Sequence, residues 1–201
     1  EWVPGGSLTS LLQKFGPFPL TVIRNYLHQI VSGLNYLHSH QILHRDIKGG
    51  NILVSDEGIV KLSDFGASKR LCQNRCGGGN ELDNVMENMT IRGTPYFMAP
   101  KVFEKRYGEK ADIWSVGGVA YQMCTGVPPW KYMGFKSAST LFDFLKRSND
   151  PPSLSSSSVQ SLNYFGEIDS PEMSSSLLCL LKKCFRRNPR ERPSAKALLV
   201  D

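Results

Sequence analysis

The run His44-Arg45-Asp46-Ile47-Lys48-Gly49-Gly50-Asn51 brings a carboxylate, an amine and a carboxamide into one short stretch. Asp64-Phe65-Gly66 then adds a second carboxylate at a turn. Asn51 and Asp64 both offer oxygen. That suits Mg²⁺, a hard cation that takes oxygen ligands and keeps several of its own waters. A carboxylate such as Asp46, within reach of Lys48, can orient a hydroxyl nucleophile while the ammonium neutralises a transferring phosphate. His44 and Phe65 flank these groups.

Such chemistry needs elements that hold the groups in place. Leu20, Ile23, Leu27, Ile30, Leu34 and Leu37 recur at helical spacing and predict a helix of about five turns over 20–37. A shorter helix over Ser7 to Lys14 precedes it, closed by Gly16 and punctuated by Pro17 and Pro19. After the loop, Ile52–Ser55 and Ile59–Leu62 read as two strands joined by Asp56-Glu57-Gly58, a hairpin signal. Residues 70 to 92 are polar and contain Gly77-Gly78-Gly79, which predicts a long mobile loop. The apolar stretch 111–125 predicts a helix buried all round, stopped by Gly126 and Pro128-Pro129. Further helices are expected over 138–147, over Ser174 to Phe185 and from Ser194, the last two with Ser at the N-cap. Residues 150 to 161 are Ser- and Pro-rich and read as a loop, with 153 to 158 a plain flexible stretch.

The 201 residues are 40% hydrophobic and 21% charged, an ordinary globular balance. No stretch of eighteen apolar residues occurs, so no membrane-spanning helix is expected. The net charge of +6 comes from one segment. Lys182, Lys183, Arg186, Arg187, Arg190, Arg192 and Lys196 face only Glu191 there. A solvated basic helix face explains this better than an acidic partner. Nucleic acid is not expected, since the segment lacks interleaved aromatics or a recognised motif. Five cysteines without a secretion signal predict reduced thiols and a cytoplasmic protein. Cys72 and Cys76 find no second pair at zinc-knuckle spacing, because Cys179 and Cys184 are too loosely spaced. His28, His38 and His40 are read as surface or satisfied helix residues.

Taken together, His44 to Asn51 and Asp64-Phe65-Gly66 resemble the catalytic loop and metal-binding turn of protein kinases. Gly93-Thr94-Pro95-Tyr96-Phe97-Met98-Ala99-Pro100 resembles the end of the kinase activation segment. Asp112 to Gly117 resembles the start of the buried central helix of the large lobe. Asn188-Pro189-Arg190-Glu191-Arg192-Pro193 resembles a late Arg-containing turn, and Glu1 to Leu8 resembles the hinge. Gly16 to Pro19 and Gly66-Ala67-Ser68-Lys69 are similar to MAP kinase kinase kinases, particularly plant-type ones.

The resemblance implies an α+β, protein-kinase-like fold: a mainly helical C-terminal (large) lobe with a small β-hairpin, the N-terminal lobe absent. It implies a partial kinase domain over 1–201, with the activation segment at 64–101. The implied activity is Ser/Thr protein kinase, with ATP and Mg²⁺ as cofactors. The implied substrate is a protein, a MAP kinase kinase, and the implied regulator an upstream activating kinase or GTPase. Asp46 would accept or orient the substrate proton, Lys48 would touch the γ-phosphate, and Thr94 would bridge the two. Asn51 and Asp64 would hold Mg²⁺. Glu1, Val3, Ser7 and Leu53 would join Lys48 in binding the nucleotide, with Glu1 and Val3 acting through their backbone and Leu53 as the floor under adenine. Asp112 would accept backbone N–H bonds near His44, and His44 and Phe65 would be packing elements. Arg45 would pair with a phosphate on Thr90, with Ser68 a weaker acceptor.

No G-x-G-x-x-G loop and no strand Lys precede the catalytic run, so the chain by itself is expected to be inactive. The alternative reading is a pseudokinase-like signalling scaffold or binding module. One departure stands out. Ala99-Pro100-Lys101 has Lys where the resembled family has Glu, paired in that fold with the Arg corresponding to Arg192. Two cations brought together there predict a less stable lobe, with Lys101 swung to solvent or Glu104 or Glu191 acting as the substitute anion.

Overall fold

The computed structural model describes residues 3–70, 95–103, 108–148, 151–152 and 171–200. Glu1, Thr90, Thr94, Glu104, Cys72, Cys76, the 153–158 stretch and the expected loop beyond Arg70 lie outside these residues.

Helix α1 runs Leu8–Phe15. Ser7 caps it by accepting the Ser10 N–H, and Gly16 ends it at φ 77°, a left-handed value that favours glycine. Helix α2 runs Leu20–Ser39 and buries the apolar stripe predicted for it. Strands β1 (Ile42–Leu43), β2 (Ile52–Val54), β3 (Val60–Leu62) and β4 (Lys69–Arg70) follow. β2 and β3 form the expected hairpin, with Leu53 opposite Lys61. β1 pairs antiparallel with β4, a contact the periodicity does not announce. Arg70, expected to open the loop, is instead the last residue of that pair.

Helix α3 covers Pro100–Phe103, α4 Glu109–Thr125 and α5 Ala138–Arg147. Helix α6 covers Pro171–Cys184 and α7 Ala195–Leu198. Every residue from Ala111 to Cys124 is buried, so α4 is the axis around which the lobe packs. Gly126, at φ 78°, terminates it. The Ser194 cap holds, its side chain accepting the Ala197 N–H. The Ser174 cap does not: α6 begins at Pro171, three residues earlier, where proline's fixed φ suits a first helical turn.

Around α4, Trp114 stacks on Trp130 at 6.0 Å, and Phe185 stands edge-on to both. Aromatic clusters of this kind dominate core energetics. Cys124, Cys179 and Cys184 are free thiols, and burial pushes Cys124 and Cys184 up to about 12. Among the described residues no helix is long and apolar enough to cross a membrane.

The basic segment is exposed as expected at Lys182, Arg186, Arg190 and Lys196, but Arg187 and Arg192 turn inward. Arg192 is 2% exposed, and Arg187 and Arg192 lie 4.9 and 5.0 Å over the Trp114 ring. A guanidinium is weakly hydrated and stacks on aromatic faces, which lets it lie where an ammonium would not.

Candidate active site

The loop between β1 and β2 is fixed from below. Asp112, fully buried in α4, accepts the His44 N–H at 3.0 Å through Oδ2 and the Arg45 N–H at 2.9 Å through Oδ1. One carboxylate thereby satisfies two consecutive backbone donors in a segment outside regular structure. Arg45 adopts φ 71°, a left-handed conformation uncommon for a residue with a side chain. The His44 ring goes inward, its Nε2 donating to the Ser63 carbonyl at 3.1 Å and the ring packing 5.0 Å from Phe65. Burial lowers the His44 pKa, opposed by Asp112, the Ser63 carbonyl, Asp46 and Asp64. His44 is thus a packing residue, as expected. Phe65 packs on it but is itself largely exposed.

Asp46 then stands at the rim. Lys48 Nζ donates to its Oδ2 at 2.7 Å. Asn51 Nδ2 donates to the same Oδ2 and to the Asp46 carbonyl, both at 2.8 Å. Asp46, Lys48 and Asn51 therefore form one connected unit, with Asn51 buried and the two charged groups half-buried. Because both Asn51 amide protons are directed at Asp46, its Oδ1 is left as an acceptor with no donor among the described residues.

Asp64 lies across the hairpin in a left-handed conformation, φ 59° and ψ 67°. Among the described residues its exposed carboxylate accepts only the Gly66 N–H, at 3.4 Å. Ser63, just before it, donates its N–H and its hydroxyl to the Asn51 carbonyl at 2.9 and 3.0 Å. This pair of hydrogen bonds ties the segments of the two predicted metal ligands together, and no motif in the sequence announces it. Oxygen donors with open positions fit Mg²⁺, which asks for few protein ligands and retains waters.

Val3, Ser7 and Leu53 also converge. The Gly6 N–H reaches the Val3 carbonyl at 3.4 Å, the Val54 N–H reaches the Gly6 carbonyl at 2.9 Å, and Ser7 bridges Leu53. The N-terminal strap therefore lies along β2, next to the loop that carries Asp46. Gly5 faces the Val54 carbonyl so closely that a Cβ there has no room.

Lys101 and Arg192 do not oppose one another as expected. Arg192 donates to the carbonyls of Arg186, Lys110 and Arg187 at 2.7, 2.7 and 3.3 Å. The cation that faces it is Arg187. Lys101 is half-buried in α3 and not swung out to solvent. Glu191 is engaged elsewhere, with Asn188 at 3.0 Å and Arg186 at 3.9 Å.

A helical lobe built on a buried axial helix, with a backbone-anchored Asp-x-Lys-x-x-Asn loop facing an Asp-Phe-Gly turn, defines a phosphotransferase-type α+β fold. Comparison with known families gives a match to the protein kinase domain over residues 1–201, and the chain belongs to that family. It is 40% identical over 200 residues to mitogen-activated protein kinase kinase kinase 2 of Arabidopsis thaliana, covering 99% of this chain and 27% of that protein. It is 41% identical to mitogen-activated protein kinase kinase kinase ANP1 of the same plant, covering 99% of this chain and 26% of that one. Mitogen-activated protein kinase kinase kinase A of Dictyostelium discoideum is 40% identical, with 99% and 18% covered. The chain spans about a quarter or less of the length of these relatives. The resemblance read from the motifs is thus correct at the level of the family and of its MAP kinase kinase kinase-like members.

Proposed function

We propose that the protein transfers the γ-phosphoryl group of Mg-ATP to a Ser or Thr hydroxyl of a protein, in a MAP kinase cascade, with a MAP kinase kinase as substrate. The carrying observation is the joint hold of Lys48 and Asn51 on Asp46 Oδ2. That hold leaves Oδ1 without a bond to a described residue, so it can accept the substrate hydroxyl proton, 2.6–3.2 Å being the working range for such a transfer. Lys48, next to it, places positive charge where the transferring phosphoryl develops negative charge. Asn51 Oδ1 and the Asp64 carboxylate would hold Mg²⁺, which when bound neutralises charge on the phosphates. Most of the rate then comes from positioning and charge stabilisation, with little covalent chemistry by the protein. Val3, Ser7 and Leu53 would line the adenine side together with Glu1, and Thr94 would complete the pair Asp46–Lys48. In this reading residues 1–8 belong to the hinge, 64–101 to the activation segment and the remainder to the large lobe.

The names of the similar proteins support the cascade assignment, and the intact Asp46, Asn51 and Asp64 favour an enzyme over a scaffold. The test is phosphoryl transfer by the protein containing this chain, with Mg-ATP and a MAP kinase kinase or a generic Ser/Thr substrate. Transfer that disappears in Asp46→Ala is expected. Turnover equal to the parent in that variant would exclude this role for Asp46, and a parent that binds partners without transferring phosphate would favour the scaffold.

A further inference from the structure

The buried carboxylate that anchors the catalytic loop is itself held from α2. His38 Nε2 lies 2.9 Å from Asp112 Oδ2, the oxygen that also accepts the His44 N–H. The His38 side chain is 6% exposed, and its Nδ1 is buried with no hydrogen-bond partner among the described residues. A carboxylate can only accept, so the shared proton sits on Nε2. Nδ1 then needs no proton, whereas a proton there would be a buried donor without an acceptor. Two donors thus converge on Oδ2, one from a helix side chain and one from the loop backbone. The first fixes where the carboxylate points, and the second places His44.

We propose that His38 is a positioning residue for Asp46, acting through Asp112 and through a hydrogen donated specifically from Nε2. The connection is short. His38 orients Asp112, and Asp112 holds the N–H groups of His44 and of Arg45 in its left-handed conformation. Asp46 is the next residue, its own N–H 3.4 Å from His44 Nδ1. A carboxylate free to rotate would release one of the two loop amides, and small displacements of a reacting group cost rate steeply. The activity part of this inference rests on the kinase reading; the loop-anchoring part does not.

The test compares His38→Leu, His38→Gln and His38→Asn in the protein containing this chain. The Gln amide nitrogen reaches the place of Nε2, while the Asn amide reaches only that of Nδ1. Each variant is read by kcat and KM and by hydrogen exchange in a peptide spanning residues 42–47. His38→Leu and His38→Asn are expected to lower kcat by ~10- to 100-fold with KM little changed. Exchange at His44 and Arg45 should speed up in both, with protection across α4 retained. His38→Gln should restore both readouts. Parent-like exchange in His38→Leu, or Asn rescuing as well as Gln, would overturn the proposal. So would a lowered melting temperature with kcat per folded molecule unchanged. Exchange needs no turnover, so a parent without transferase activity would sink the kinase reading and leave His38 judged by exchange alone.

Discussion

Arg192 lies over the ring of Trp114 in the core, the guanidinium carbon 5.0 Å from the ring centre. The charge is balanced by three backbone carbonyls, and among the described residues no carboxylate pairs with it. Burial lowers its pKa to about 10, with Cys184 acting against that shift and Arg187 adding to it. Two main-chain segments, that of Lys110 and that of Arg186 and Arg187, are tied by one side chain.

Arg192→Lys should therefore destabilise the fold by about 2–4 kcal/mol, because an ammonium cannot span three carbonyls and is costlier to desolvate. For a domain of this size that lowers the melting temperature by roughly 2–4 °C per kcal/mol. Calorimetry of parent and variant checks it. An unchanged melting temperature would mean that the three bonds contribute nothing net.

Asn51→Asp separates the two roles proposed for one residue. An oxygen for the cation is retained, but the amide that donates to Asp46 becomes a second carboxylate 2.8 Å from the first. Like charges at that distance repel strongly. A fall in kcat of ~100-fold or more is expected, and raising Mg²⁺ should not rescue it. Steady-state kinetics across a Mg²⁺ series decides. Recovery at high Mg²⁺ would show that Asn51 serves only as a ligand.

Gly49 has no room for a side chain. A Cβ would come 2.6 Å from Gln122 Oε1 and 2.7 Å from Thr9 Oγ1. Gly49→Ala should cost about 1–3 kcal/mol, the usual penalty for overpacking. Its catalytic effect should exceed its loss of stability, since Asn51 is two residues away. Removing the obstacle with Gln122→Ala in the same chain should recover part of the loss. Chemical denaturation of the single and double variants measures it.

The helices and the hairpin around residues 44–51 were legible in the sequence for physical reasons. Leu20 to Leu37 repeat at the period of a helix, and Asp56-Glu57-Gly58 marks a turn by its own conformational preferences. The β1–β4 pair was not legible: two residues per strand carry no alternation, and their pairing depends on distant chain. Arg187 and Arg192 were misread because composition records charge and not direction, and only Trp114 explains why cations point inward. Ser63 escaped notice because its value lies in which carbonyl it meets. Lys101 was read through a partner that Arg192 does not need.

Acid should loosen the lobe through His44. Burial holds its pKa in the folded state below the unfolded value of 6.5. Between those two values the unfolded chain binds more protons, so stability is full above about 6.5 and is lost as pH falls toward the folded pKa. Melting temperatures measured from pH 7.5 down to pH 5 should fall, and His44→Phe, which keeps a ring against Phe65, should flatten the slope. An equally steep slope in the variant would assign the effect to other groups.

Gln29, on α2, accepts the Val60 N–H at 2.8 Å and donates to the Gly58 carbonyl at 3.1 Å. Val60 is opposite Val54 in the hairpin, yet this N–H is not spent on β2. A helix side chain thus fills the place a further strand would take. Short hairpins with open edges invite pairing with a neighbouring molecule, which is one route to aggregation. Here the outer rim of β3 is already claimed from within the same chain, so the hairpin that carries Asn51 and Asp64 offers little template for intermolecular sheet growth.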